Sequence, residues 1–249
     1  MSKVAIITGA GSGLGQATAV RLAEEGVNIA VVDVSEKGAS ETVELVKQTG
    51  AEAIFIQADV SKEADVKNYV DKTVEHFGSI DYFFNNAGIS GSGKYFLDSD
   101  VAEIERIVAI NLLGALYGVR YVAEVMVKNG EGSIVNTSSS AGVIGQDSVV
   151  AYAATKHAIV GMTKSLVAEY AKDGLRVNAI APGPTETKMV AEFYAANPKM
   201  KENATGGIPQ KRLGTPEEVA ELVTFLLTSK VQYINGEVIR IDGGFTNTK

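Results

Sequence analysis

Two apolar patterns alternate along this chain: short unbroken runs, and longer segments in which apolar residues recur every third or fourth position. Val4-Ala5-Ile6-Ile7 is the first run, too short for a helix and ended by Thr8-Gly9. An unbroken run of that length predicts a strand buried on both faces. A glycine-rich turn follows, Gly9-Ala10-Gly11-Ser12-Gly13-Leu14-Gly15, and then a helix with Ala17, Val20, Leu22 and Ala23 as its apolar positions, stopped at Gly26. Residues 27–32 make a second strand that ends at Asp33. Residues 35–48 read as a helix with Ala39, Val43 and Val46 inward, and residues 53–56 as a third strand. Ser61 is the predicted cap of a third helix, with Ala64, Tyr69, Val70, Val74 and Phe77 on its apolar face. Residues 81–84 form a fourth strand running into Asn85-Asn86-Ala87-Gly88.

Asp100 and Glu103 make a capping pair for a long helix from 101 to about 128. Its apolar positions, from Ile104 through Ile110 and Leu116 to Val125, cover more than one stripe, so part of that surface is expected to meet another subunit. Asn111 sits among them, unfavourable by propensity and by burial unless something satisfies it. Residues 134–137 predict a fifth strand that delivers Ser138, Ser139 and Ser140. A helix containing Tyr152 runs to about 172, and residues 177–180 form a sixth strand ended by Ala181-Pro182-Gly183-Pro184-Thr185-Glu186-Thr187. Residues 188–209 lose clear periodicity, with Met189, Phe193, Tyr194 and Met200 among polar residues, as in segments that form mobile lids. Thr215-Pro216-Glu217-Glu218 starts a helix with cap, proline and capping-box glutamate in place. A seventh strand spans 237–241. The alternation predicts an α/β fold: a Rossmann-type, doubly wound parallel sheet of about seven strands with helices on both faces. Residues 1–249 are expected to form one domain, since neither a repeat nor a linker interrupts the pattern.

Composition narrows the chemistry. The 249 residues are 45% apolar, enough for a sizeable core, and the net charge of −7 argues against nucleic acid or an anionic membrane as partner. No apolar run approaches the roughly 18 residues of a membrane span. The chain has no cysteine, which excludes disulfides, thiolate catalysis and Cys-ligated metals. His76 and His157 are far apart in sequence and read as structural, so no metal site is expected. Met1-Ser2-Lys3 enters the first strand at once, without a secretory leader. A cytoplasmic protein is the expectation.

Four suspicious sites fall at carboxyl ends of predicted strands, where ligands bind in such sheets: Gly9, Asp33, Asp59 and Asn86. A strand, a glycine turn and a helix N-terminus together let backbone N–H groups approach a pyrophosphate; a plain flexible turn is the alternative. Leu14 stands where the Gly-x-Gly-x-x-Gly fingerprint needs glycine, so the pattern is Thr8-Gly9-x-x-x-Gly13-x-Gly15. An acid at the end of the second strand can accept hydrogen bonds from ribose hydroxyls and repel a 2′-phosphate; a capping aspartate is the alternative. With Val34 next and no basic residue in the glycine turn, Asp33 favours NAD over NADP. Tyr152 and Lys156, four apart on one helix face, place an ammonium beside a phenol. The charge is expected to pull the phenol down from its ordinary value of about 10, toward use as an acid or base.

Taken together, Thr8-Gly9-x-x-x-Gly13-x-Gly15, Asp59-Val60, Asn85-Asn86-Ala87-Gly88, Asn111, Ser139, Tyr152-x-x-x-Lys156 and Pro182-Gly183 resemble the short-chain dehydrogenase/reductase family over essentially the whole chain. Its nearest likeness within that family is to NAD-linked dehydrogenases of secondary alcohols. The resemblance implies hydride transfer between nicotinamide and a carbinol carbon. In it Tyr152 is the acid/base, Lys156 holds the nicotinamide ribose, Ser139 fixes the substrate oxygen, and Asn111 binds a water linking Lys156 to solvent. Ser138 and Ser140 would have no part in the reaction. The implied cofactor residues are Gly9, Ser12, Gly13, Leu14, Gly15, Asp33, Asp59, Val60, Asn86, Ala87, Gly88, Tyr152, Lys156, Pro182, Gly183, Thr185 and Thr187. Substrate would meet Ser139, Gln146, Tyr152 and Met189, with Val149, Phe193 and Tyr194 nearby, in a mainly apolar pocket suited to a compact neutral alcohol or ketone. Lys188, Lys199 and Lys201 leave room for an anionic substrate. Relatives pair their long helices across two-fold axes, which implies a homotetramer or a dimer. The rival readings are a carrier-protein-linked 3-oxoacyl reductase, an epimerase or dehydratase on the same scaffold, and a non-catalytic dinucleotide sensor.

Overall fold

The structure, a computed structural model, describes residues 2–196 and 205–248. Lys199, Met200 and Lys201, and the side chains of Met189 and Phe193, lie outside the described set. Seven parallel strands form one sheet: β1 (Val4–Thr8), β2 (Asn28–Asp33), β3 (Ala53–Gln57), β4 (Tyr82–Asn85), β5 (Gly132–Thr137), β6 (Leu175–Pro182) and β7 (Val238–Ile241). Their order is β3-β2-β1-β4-β5-β6-β7, so the chain reverses direction across the sheet between β1 and β4. That reversal opens a crevice at the carboxyl ends of the two strands.

Both sheet faces are covered, which is why the strands read as unbroken apolar runs. On one face Ala5, Ile7, Ile29, Val31 and Phe84 pack under α1 (Gly13–Glu24), α2 (Glu36–Gln48) and the late helix over Pro216–Thr228. On the other, Ile6, Ala30, Val32, Phe83 and Ile134 pack under α3 (Glu63–Phe77) and α5 (Gly114–Asn129), with part of α6 (Val150–Tyr170). Successive strand residues thus point to opposite cores.

Several helix details differ from the sequence expectation. The buried stripe of α1 is Thr18, Ala19, Leu22 and Ala23, with Ala17 and Val20 only partly covered. Lys62, not Ser61, stands at the N-cap of α3, because the Ser61 hydroxyl donates to Asp59 Oδ1 at 2.7 Å. Ala64 is exposed, and Val66 and Thr73 join Tyr69 and Val70 inside. The long helix is two, α4 (Val101–Val108) and α5, joined by a π turn at Ala109–Leu113. Asp100 caps α4 through Ala102 N, but Glu103 does not complete a box, since its carboxylate accepts from Ser92 N and Ser92 Oγ. The run Val101–Asn129 is long and apolar enough to cross a membrane; α5 instead packs on α3, β4 and β5, leaving Val101, Leu113 and Leu116 exposed. Residues 188–196, expected to be irregular, form α7 (Lys188–Ala196). The Thr187 hydroxyl accepts from Val190 N and supplies its first-turn cap. The final helix, α8 (Pro216–Thr228), has the predicted capping box between Thr215 and Glu218.

Candidate active site

At the carboxyl edge of the sheet lies a cavity of about 980 Å³, at the upper end of the range for small-molecule and cofactor sites. Its inner end, at the glycine turn, is bordered by Gly9, Ser12, Gly13 and Leu14, with Asp33 beside them. Gly9 and Gly13 take left-handed φ values of +66° and +54°. Gly15 lies so close under the turn that a Cβ there would fall 2.2 Å from Gly9 O. Asp33 ties the turn to β2: Oδ2 accepts from Gly11 N and Oδ1 from Ser35 N, both at 2.8 Å. Ser12 at the N-cap of α1 makes no capping bond, which leaves the helix N-terminus suited to an anion. This donor set, with a carboxylate at the end of β2, fits the pyrophosphate and ribose of a dinucleotide.

The neighbouring strand ends are held by short polar bonds. Thr8 Oγ1 accepts from Asn86 N and Ala87 N at 3.0 and 3.1 Å, and Asn86 Nδ2 donates to Thr8 O. The Ser61 hydroxyl holds the Asp59 carboxyl below its ordinary range, against the opposing effect of burial. Thr185 Oγ1 donates to Gly183 O at 3.0 Å, while the Thr187 methyl lies over Gly13.

The reactive groups come from β5 and α6. Ser139 opens a short turn, Ser140–Gly142, and its Oγ accepts from Ala141 N. A Cβ at Gly142 would strike Ser138 Oγ at 2.3 Å and Lys156 O at 2.7 Å, so the turn is seated directly on α6. Tyr152 and Lys156 share a face as expected, with Nζ 5.6 Å from the phenol ring centroid. Lys156 Nζ donates to Thr137 O at 2.8 Å. Only 4% of Lys156 is exposed, and burial pushes its ammonium down to about 8. The expected lowering of Tyr152 does not arise among the protein's own groups: burial pushes the phenol up, and a hydrogen bond from Ser139 offsets this in part. Desolvation outweighs a cation held 5.6 Å from the ring centroid.

The cavity therefore collects Gly9, Ser12, Gly13, Leu14, Asp33, Asp59, Val60, Asn86, Ala87, Gly88, Ser139, Gln146, Val149, Tyr152, Lys156, Pro182, Gly183, Thr185, Thr187 and Tyr194. Gly15 and Asn111 stand behind it. Asn111 is buried in the π turn, where Oδ1 accepts from Ile89 N and Nδ2 donates to Ile89 O, both at 2.8 Å. It flanks Gly88 together with Lys156 Nζ. Sequence reasoning missed Arg106, Ile110, Val190 and Phe245, which also line the cavity. Phe245 follows a turn in which Asp242 accepts from Gly244 N and from Thr246. No local signal in the sequence placed that turn beside the site.

The family model described as enoyl-(acyl carrier protein) reductase matches residues 9–246. The chain is 45% identical to levodione reductase of Leifsonia aquatica, covering 97% of this chain and 93% of that one. The crystal structure of a levodione reductase superposes with a TM-score of 0.95 at 43% identity, covering 99% and 98% of the two chains. Cyclohexanol dehydrogenase of Acinetobacter sp. (strain SE19) is 37% identical, over 99% of this chain and 96% of its own. An NAD+-bound xylitol dehydrogenase matches with a TM-score of 0.93 at 34% identity, covering 97% and 98%.

Proposed function

The chain belongs to the short-chain dehydrogenase/reductase family, and we infer that it is an oxidoreductase interconverting a secondary alcohol and a ketone. It binds a nicotinamide dinucleotide. The observation that carries the reading is the convergence of Ser139, Tyr152 and Lys156 with the glycine turn and Asp33 on one cavity.

When bound, the nicotinamide supplies or accepts the hydride, and the protein orients the substrate and moves the proton. Ser139 holds the substrate oxygen. Tyr152 gives a proton to that oxygen during reduction and removes one during oxidation. Lys156 reaches the ribose hydroxyls and keeps a positive charge near the phenol. The side chain of Asn111 bonds the Ile89 backbone and flanks Gly88 together with Lys156 Nζ, where the water implied for this residue would link Lys156 to solvent. The other residues of the cavity, from Gly9 to Thr187, hold the dinucleotide. Asp33 and the absence of a basic side chain in the glycine turn support NAD over NADP.

Residues 1–249 act as one domain, in the cytoplasm, as a homotetramer; exposed Val101, Leu113 and Leu116 on α4–α5 supply apolar surface for pairing. Substrate is a compact alcohol or ketone, since Val149, Val190, Tyr194 and Phe245 give the cavity apolar surface; Arg106 and Lys188 line it as well and leave room for an anionic group on that substrate. A carrier-linked acyl reductase is the second reading, favoured by the description of the matching family model. Following reduced-nicotinamide absorbance over a panel of secondary alcohols and ketones with both nucleotides separates the two. Turnover of small alcohols with NAD is expected; activity confined to carrier-bound acyl substrates would replace the first reading with the second.

A further inference from the structure

Among the described residues Arg106 is the one arginine that makes neither a hydrogen bond nor an ion pair. Arg21, Arg120 and Arg212 are paired with glutamates, Arg176 donates to Leu227 O, and Arg240 bonds Asn247. Arg106 is exposed on α4 and lines the cavity. Its freedom has a local cause. On a helix an arginine meets residues three or four away, here Ala102, Glu103, Ala109 and Ile110. Glu103 is the sole acid among them, and its two oxygens accept from Ser92 N and Ser92 Oγ at 2.6 and 2.9 Å. Gly91, at φ +84°, seats that loop on α4, since a Cβ there would fall 2.8 Å from Ile107 Cδ1.

Arg106 and Ile110 share a helix face, and both line the cavity. One turn further along, Gly114 is packed on Val60 so closely that a Cβ would fall 2.9 Å from Val60 O. This row sets Arg106 over the Asp59–Val60 loop that follows β3. Because β3 pairs with β2, that is the side of Asp33 and the nucleotide. The approach there is acidic: Asp33, Asp59 and Asp147 line the cavity, and the chain carries a net charge of −7. A dinucleotide is itself an anion through its diphosphate. Lys156, the cation deepest in the cavity, is buried against Thr137 O, whereas the charge of Arg106 faces solvent.

We infer that Arg106, left unpaired because Ser92 holds Glu103, draws the anionic dinucleotide into an otherwise acidic cleft. It acts on association, through the positive potential it adds at the mouth of the cavity. This rests on the reading above that the chain binds a nicotinamide dinucleotide. One exposed unit charge close to the path of a doubly charged ligand changes the association rate by about three- to fivefold at low salt.

The test follows NADH binding to the full-length protein by stopped-flow fluorescence, in wild type, Arg106→Lys, Arg106→Gln and Arg106→Glu, at ionic strengths from roughly 0.01 to 1 M. With NADH in excess, the observed rate does not depend on the fraction of competent protein. At low salt the association rate should fall about three- to fivefold in Arg106→Gln and about tenfold or more in Arg106→Glu. Arg106→Lys should stay near wild type, and dissociation should hardly move in any of them. At roughly 1 M salt the association rates should converge. The inhibition constant of adenosine, which is uncharged, should be the same throughout. Equal association rates at low salt overturn the proposal. A change confined to dissociation and shared by adenosine makes Arg106 a contact to the base and overturns steering. An effect seen only in the KM of an anionic substrate assigns the charge to substrate, and the proposal falls while dinucleotide binding stands. A wild type that binds neither NADH nor NADPH overturns both readings.

Discussion

At Gly15, beneath the glycine turn, an added Cβ would fall 2.2 Å from a carbonyl oxygen; at Gly145, on the loop that carries Gln146, it would meet nothing within 4 Å. The first stands behind the cavity, under the glycine turn, and the second lines it. The inner end is specified by the absence of side chains, because backbone must approach the ligand closely. The outer end is specified by the side chains present, Gln146, Val149, Tyr194 and Phe245, and the loop at Gly145 has room beside it. Tolerance to substitution should differ accordingly, with the inner end failing on any added atom and the outer end changing selectivity.

The largest effect is expected where the two ends meet. Tyr152→Phe removes the hydroxyl that exchanges the proton while leaving the ring, so kcat should fall by at least roughly 100-fold. Nucleotide affinity, measured by fluorescence titration, should change little. Near-normal turnover in that variant would overturn the assigned chemistry. Next comes Gly15→Ala, where the turn or α1 must shift to admit the methyl. Overpacking of this kind costs about 1–3 kcal/mol, so thermal denaturation should come earlier and the KM for the nucleotide should rise. Gly161→Ala in α6, where an added Cβ meets nothing within 4 Å, is the contrasting case. It should be neutral or stabilise by about 0.5–1 kcal/mol. If the two alanines behave alike, the contrast between packed and open regions is wrong.

The same contrast explains what could be read from the chain. Strand–turn–helix alternation, Gly9 and Gly13, Asp33 and the Tyr152–Lys156 spacing are local signals, each contained within a few consecutive residues. They identified the doubly wound sheet and most of the cavity. What escaped reading depends on contacts between distant segments. The break at Ala109–Leu113 carries Asn111, whose side chain bonds the Ile89 backbone, and nothing in the apolar spacing of 101–128 announces it. Glu103 looked like a capping partner, yet Ser92 claims it. Arg106 and Phe245 reach the cavity through tertiary packing alone. The direction of the Tyr152 shift was misjudged because spacing reveals the nearby charge but not the depth of burial, and burial dominates.

Asp33 gives a smaller effect that sharpens the picture of the inner end. Its carboxylate accepts from both Gly11 N and Ser35 N, so it shapes the turn as well as facing the ligand. Asp33→Ala alone should raise KM for both nucleotides by loosening the turn. Combined with Val34→Arg at the exposed neighbouring position, it should move the NADP-to-NAD ratio of kcat/KM upward by about tenfold or more. An unchanged ratio in the double variant would remove Asp33 from cofactor selection and leave it the structural role alone.

The smallest effect concerns Lys156, whose ammonium is buried between the two ends of the cavity and pushed down to about 8 from 10.5. Above the ordinary lysine value both folded and unfolded chains carry this group neutral, and it contributes nothing to pH dependence. Below about 8 both carry it charged, and folding bears the full cost of burying that charge. Between these limits the unfolded chain binds the proton and the folded chain releases it, so stability rises with pH across this window. Lys156→Met cannot titrate and should lack this slope. Between pH ~7.5 and ~9 the wild type should gain about 1 kcal/mol relative to the variant, read as urea midpoints at each pH. Taking the difference cancels the slopes of the other titrating groups. A difference that stays flat would mean that Lys156 keeps its charge in the folded protein, held by Thr137 O. A difference that falls with pH would mean that the site stabilises the ammonium rather than resisting it.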